Sequence, residues 1–314
     1  MSTPGWRRML LFGWLTSAIL LASCSTLPGL GATPTPEPPL FRYDTAIATA
    51  EAEQDLAHQA AAYLARGDAQ ADQNYYEQAL ADYTIAISHD PTSARAYNNR
   101  ALVYQALMQY QAALADLTAA LQIDPTYVRA YKNRVALLEQ SNGDQSQLAV
   151  DYGHLAELEP TNAAEYRYRQ GSALHGLRDF AGARAAYDAA LAANPQQIDA
   201  LYERALLSYA EGQHSEALAD LDRAIKLSPR AANAYYARGM VLNAIGDTAG
   251  ALSDFTQTLA LEPNNAEALL ARAAVYNATG DTTNAIADLD RLDQLTISED
   301  LKIAATTLRR ILKK

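Results

Sequence analysis

The side chains able to do chemistry in this chain are few. Cys24 is its single thiol, so it has no disulfide partner within the chain and is left for modification. His58, His89, His154, His175 and His214 stand far apart, at no metal-ligand spacing, and no phosphate loop, H-E-x-x-H pair or G-x-S-x-G elbow occurs. Acid pairs such as Glu51 with Glu53, or Asp288 with Asp290, read as solvated helix faces. What does recur is charge. Arg66, Arg100, Arg134, Arg204, Arg238 and Arg272 alternate along the chain with Asp82, Asp116, Asp151, Asp220, Asp254 and Asp288. Two roles fit such a row, anion binding or packing, and repeated ion pairs more often serve packing. The pairing could lie inside a structural unit or between units. No enzyme, cofactor, metal or small-molecule substrate is expected.

The elements that position these charges follow from a second periodicity. Pro91, Pro125, Pro160, Pro195, Pro229 and Pro263 lie 34, 35, 35, 34 and 34 residues apart, a spacing that means a stacked array. Within one period apolar residues fall twice at helical intervals, at Tyr97, Ala101, Tyr104 and Met108, then at Ala113, Leu117 and Ala120. Each period is therefore a helical hairpin. Proline ends the second helix, because it has no N–H and clashes with the preceding turn, and Asp90, Asp124 or Asn194 stands just before it.

Period, helix pair and closing proline resemble the tetratricopeptide repeat. The resemblance implies an all-α, right-handed superhelical solenoid of about seven hairpins, at 60–93, 94–127, 128–162, 164–197, 198–231, 232–265 and 266–299, with helical caps at both ends. It also implies small residues where the two helices of a hairpin cross. The pairs are Gly67 with Ala79, Ala101 with Ala113, Gly171 with Ala183, Ala205 with Ala217, Gly239 with Ala251 and Ala273 with Ala285. Unit three has Val135 and Leu148 there and a longer turn, Ser141-Asn142-Gly143-Asp144, which predicts a looser hairpin and a bend or flexible joint between units three and four. Unit four carries Gln170 and Ala186 in place of both ladder charges, so the two ladder positions are expected to meet; a different register would instead put Arg169 at the missing arginine.

Residues 44–299 thus form the solenoid, with 44–66 expected to lengthen the first helix into a cap. Residues 300–314 have Leu301, Ala304, Ala305, Leu308 and Leu312 on one face and form a polar-backed capping helix. At the other end Arg7 and Arg8 precede an apolar run from Met9 to Leu21, too short for a comfortable membrane span, which has the layout of an export signal. The string Leu21-Ala22-Ser23-Cys24 resembles the bacterial lipobox. That resemblance implies a signal peptide over 1–23, lipidation of Cys24, and an extracytoplasmic protein held to a bacterial membrane by its acyl chains. One chain anchors only marginally, at about 0.8 kcal/mol per buried methylene, so the two or more chains that the lipobox implies are needed. Residues 24–43, rich in proline, read as a semi-rigid linker.

The net charge is −11, and losing residues 1–23 would make it about −13, which argues against nucleic acid and anionic lipid surfaces as partners. In the tetratricopeptide family the first helices line a concave groove that receives protein or peptide partners. By position the groove residues are Arg95, Asn98, Asn99, Arg129, Lys132 and Asn133, then Tyr168, Arg169, Tyr202, Tyr209 and Tyr236. The basic, amide-rich stretch suits charge-assisted hydrogen bonds, and aromatic and arginine anchors suit recognition. Packing tyrosines and a solvated basic face explain the same residues equally well. The family's carboxylate clamp is incomplete, because only Lys132 matches it while Ala136 and Glu165 depart. Two functions follow: a scaffold binding protein partners, as an adaptor in cell-envelope assembly, or a structural spacer or self-assembling array without a specific ligand.

Overall fold

A computed structural model describes residues 40–312; residues 1–39, and with them the signal-like run, Cys24 and most of the proline-rich segment, lie outside the described residues. Sixteen α-helices and no strands occur among the described residues. Helix α1 (Phe41–Ala52) leads into seven hairpins: α2 (Leu56–Asp72) with α3 (Tyr76–His89), α4 (Ala94–Ala106) with α5 (Tyr110–Ile123), α6 (Val128–Gln140) with α7 (Gln145–Leu158), and α8 (Ala163–Gly176) with α9 (Phe180–Ala193). The last three are α10 (Ile198–Ala210) with α11 (His214–Leu227), α12 (Ala232–Ala244) with α13 (Thr248–Leu261), and α14 (Ala266–Ala278) with α15 (Thr282–Leu292). Helix α16 (Glu299–Leu312) follows, burying Ala305 and Leu308 against the last core cluster. The chain is a helical solenoid, built mainly from contacts between elements adjacent in sequence.

Local chemistry sets the helix ends. Asp179, Asp247 and Asp281 accept the N–H groups of Gly182, Gly250 and Asn284 and so cap α9, α13 and α15. Before three of the prolines the acid or amide is a turn device: Asp90, Asp124 and Asn194 accept the N–H two residues on, from Thr92, Thr126 and Gln196. Inside every hairpin the turn needs one residue with left-handed backbone. Gly212, Gly246 and Gly280 supply it in the last three, but Asn74, Met108, Asn142 and Arg178 take it in the first four.

The core runs along the stack as successive layers. Leu117, Leu201, Leu221, Leu269 and Leu289 are fully buried, each contributing about 1.5–3 kcal/mol. The crossing residues expected to face one another are buried, yet what lies on each glycine is an aromatic ring one turn beyond the expected alanine. A Cβ on Gly67 would stand 2.8 Å from Tyr83, one on Gly171 2.5 Å from Tyr187, and one on Gly239 2.8 Å from Phe255. Where the first helix has alanine instead, at Ala101, Ala205 and Ala273, the residue sixteen positions later is leucine, Leu117, Leu221 or Leu289. The pairs conserve volume, as close packing demands.

One expectation is corrected. Residues 44–66 do not form one long helix: Gln54 adopts positive φ and Asp55 caps α2 through Ala57 and His58, which separates α1 from α2. The looser hairpin expected in unit three is present. With Val135 and Leu148 at the crossing, α7 packs less closely on α6 than other hairpin partners do, and it packs on α8 as closely as they do. Gly153 makes this possible, since a Cβ there would come within 2.9 Å of the Gln170 amide.

Candidate functional site: the face of the first helices

Successive first helices approach one another, α2 with α4, α4 with α6, α10 with α12 and α12 with α14, whereas the second helices do not. The first helices therefore line the inner side of the stack. Its floor is fixed by the arginines. Each of the six ladder arginines grips the aspartate of its own hairpin through Nε and Nη2, with all twelve distances between 2.6 and 2.8 Å. The aspartates are buried. The remaining nitrogen, Nη1, reaches back to the preceding second helix: Arg100 to Thr84, Arg134 to Thr118, Arg204 to Asp188, Arg238 to Asp222 and Arg272 to Thr256. Arg66 finds its third partner in Asp44 of α1. The ladder thus works both within and between hairpins, its guanidinium nitrogens engaged by side chains of the fold itself. In unit four Gln170 takes Arg167 instead, and Arg169 lies off the ladder, bonded to Glu165 and Glu139, so the register on Gly171 holds.

The groove residues divide into three stretches. In the first, Asn98 is buried, with 2% exposure, donates to Asn99 and accepts from Asn133 at 2.8 Å. Arg95 and Asn99 both bind Asp68, which also accepts the Tyr83 hydroxyl at 2.9 Å. The expected basic character is thereby reduced; Arg129 is exposed, without a side-chain hydrogen bond.

In the second stretch α6 and α8 diverge, and a cleft of ≈ 450 Å³ opens between them over Val135, Ala136 and Leu155. Ion pairs rim it. Lys132 donates to Glu159 at 2.7 Å, which Tyr166 also binds; the carboxylate raises the Lys132 pKa, and that lysine lowers the pKa of Glu159. Across the cleft Arg169 holds Glu165 at 2.6 Å, and the Tyr152 hydroxyl donates to Glu139.

In the third stretch Tyr168, Tyr202 and Tyr236 sit at one equivalent position, three residues before Gly171, Ala205 and Gly239. They are half-buried, as is Tyr209. The Tyr168 ring lies 6.1 Å from that of Tyr187, and Tyr236 5.8 Å from Phe255. Burial raises the phenol pKa of Tyr168 and Tyr236 and pushes Tyr202 up to about 12. These rings pack against the core clusters and keep part of their surface exposed. Asp199 and Glu203 stand beside Tyr168; burial first, then Glu165 and Glu203, push the Asp199 carboxyl upward.

Sequence reasoning missed the acids Asp68, Glu139 and Glu159 that neutralise the basic groove residues. It also missed the third ladder partner, although a threonine or aspartate sixteen residues before Arg100, Arg134, Arg204, Arg238 and Arg272 marks it. Among the described residues no group of three or more His, Cys, Asp or Glu side chains could hold a metal ion, and no helix is long and apolar enough to cross a membrane.

Family models agree with this architecture. The tetratricopeptide repeat model matches residues 94–127, a TPR repeat model matches 67–107 and 205–246, and a further tetratricopeptide repeat model matches 155–198 and 236–300. Tetratricopeptide repeats are recognised along this chain. Solved structures share the fold. The C-terminal part of a TPR repeat-containing protein from Cytophaga hutchinsonii is 17% identical with a TM-score of 0.57, covering 77% of this chain and 98% of its own. PilW, a type IV pilus biogenesis factor, is 22% identical at TM-score 0.50, covering 67% and 97%. MamA from Desulfovibrio magneticus RS-1 is 20% identical at TM-score 0.50, covering 54% and 94%. No curated protein matches the chain in sequence.

Proposed function

We propose that this chain is a membrane-anchored extracytoplasmic scaffold that binds protein or peptide partners along the first-helix groove, as an adaptor in cell-envelope assembly. The observation that carries the binding reading is the row Tyr168, Tyr202 and Tyr236: half-buried rings at equal steps on the inner face, held by packing and presenting apolar area at low entropic cost. The cleft between α6 and α8 adds an apolar floor with a polar rim, which suits a partner side chain. Repeat arrays offer long curved surfaces, and such surfaces fit extended partners better than small molecules. The anchor rests on the Leu21-Ala22-Ser23-Cys24 string, and the extracytoplasmic location follows from it.

Capture of partners from cells with the wild-type chain and with a Tyr202→Ala, Lys132→Ala double variant tests the groove. Specific partners lost in the variant support the scaffold; equal capture by both favours a spacer or self-assembling array. For the anchor, Cys24→Ser should move the protein out of the membrane fraction and abolish incorporation of labelled fatty acid. Retention of both properties in that variant refutes lipidation at Cys24.

A further inference from the structure

Three second-helix tyrosines, buried in the hairpin cores, end in hydroxyls that need a partner, and two have one. Tyr83 donates to Asp68, which also takes Arg95 Nη2 at 2.5 Å and Asn99 Nδ2 at 2.8 Å. Tyr152 donates to Glu139, which Arg169 Nη1 approaches at 3.4 Å. In both nodes a carboxylate holds the phenol, and a cation from the next hairpin's first helix balances the carboxylate. The donors come from two groove positions, six and two residues before the small crossing residue: Arg95 and Asn99 before Ala101, Arg169 before Gly171.

The third node has no arginine or lysine at the corresponding positions. Tyr187 is fully buried, and its hydroxyl has no hydrogen-bond partner. At the two donor positions before Ala205 the next first helix presents Asp199 and Glu203, both acids. Glu203 Oε2 is likewise buried and unbonded, and the nearby His175 Nδ1, at 3.8 Å, is beyond hydrogen-bond reach. Glu165, the third acid here, is already engaged by Arg169 and Gln197. A buried carboxylate oxygen left unpaired is costly, and an external cation would relieve it. Tyr168, whose ring is tilted beside that of Tyr187, offers an aromatic wall for that cation.

We propose that this node between α8, α9 and α10 is a pocket for a basic side chain, an arginine or lysine of the bound protein segment, whose cation fills the place that Arg95 and Arg169 fill in the other two nodes. The proposal rests on the groove reading and names the chemistry of the partner.

The test is an NMR titration of the full chain in detergent micelles with the peptide acetyl-Gly-Ser-Arg-Ser-Gly-amide and with its citrulline counterpart, which keeps the shape and removes the charge. Saturable shifts in α8–α10 with the arginine peptide are expected, with binding at least about tenfold weaker for citrulline and for Asp199→Asn, Glu203→Gln, an energy of about 1.4 kcal/mol. A Glu77→Gln, Glu216→Gln control, which removes two exposed acids elsewhere, should bind as wild type. Asp199→Arg should rebuild the missing arginine, abolish peptide binding and raise Tm by about 2–4 °C. Absence of saturable binding, equal binding of citrulline, equal weakening in the control, or an Asp199→Arg chain that melts lower and still binds would each overturn the proposal. Capture from cells separates the two readings: partners retained by Asp199→Asn, Glu203→Gln but lost in Tyr202→Ala, Lys132→Ala reject the basic-residue pocket and leave the groove standing, while partners retained by both variants reject both.

Discussion

Arg238 holds Asp254 by two parallel hydrogen bonds of 2.8 Å each, and with its third nitrogen reaches back 2.7 Å to Asp222 on the preceding hairpin. The guanidinium fork matches a carboxylate's two oxygens, which a lysine cannot do. Asp254 is 3% exposed, so loss of Arg238 would leave a buried charge unpaired. Arg238→Ala is expected to destabilise the chain by about 3 kcal/mol, and a double-mutant cycle with Asp254→Ala to show coupling above about 1 kcal/mol. Coupling within error of zero in chemical denaturation would reject the contact.

The between-hairpin arm predicts a smaller effect. Asp222 is exposed, so Asp222→Ala should cost about 1 kcal/mol or less, and added salt should shrink that cost. Thermal melts at low and high salt measure it; a cost that matches Arg238→Ala would mean that the two arms are misassigned.

Glycine and its facing ring form a volume-matched pair. Gly239→Ala pushes a Cβ to 2.8 Å from Phe255 and should destabilise by about 1–3 kcal/mol. Combining it with Phe255→Leu recreates the alanine–leucine pairing of Ala205 with Leu221, so the double variant should be more stable than the sum of the singles predicts. Strict additivity in urea unfolding would contradict the pairing.

Met108 and Arg178 occupy the left-handed turn position that Gly212, Gly246 and Gly280 fill in later hairpins, with φ of 58° and 65°. That conformation costs a residue with Cβ about 1–2 kcal/mol, so Met108→Gly and Arg178→Gly should each raise the melting temperature despite glycine's greater freedom in the unfolded chain. A lowered Tm in both would contradict the turn geometry.

Burial raises the phenol pKa of Tyr83, Tyr152 and Tyr187 above the ordinary value of 10.0. The unfolded chain then ionises first, so stability present below about pH 10 is lost as pH rises. Ultraviolet titration should show exposed tyrosines ionising early and these three appearing together with the loss of helical circular dichroism. Ionisation of all tyrosines before any helix is lost would contradict their burial.

These relationships differ in how far the sequence displays them. The prolines and the small crossing residues give the hairpins, because period and helical spacing are local. The pairing of Arg204 with Asp220 is legible too, since both recur in step and vanish together at Gln170 and Ala186. Other features depend on neighbours that no local pattern marks. Met108 in a glycine conformation carries no signature, and the close approach of α7 to α8 rests on Gly153 meeting Gln170 across a hairpin boundary. At the groove, Arg95 and Lys132 read as free bases in sequence, yet Asp68 and Glu159, each 27 residues away, hold them.

The most direct test of the scaffold is photo-crosslinking in cells, with a benzophenone amino acid placed singly at Asn99, Tyr202 or Tyr236 of the first helices, or at the exposed Val150 or Ile286 of the second helices. Crosslinks to the same protein partner from the three first-helix positions, with none from Val150 or Ile286, are the predicted result. Crosslinks from the second-helix positions alone, or only between copies of this chain, would contradict it.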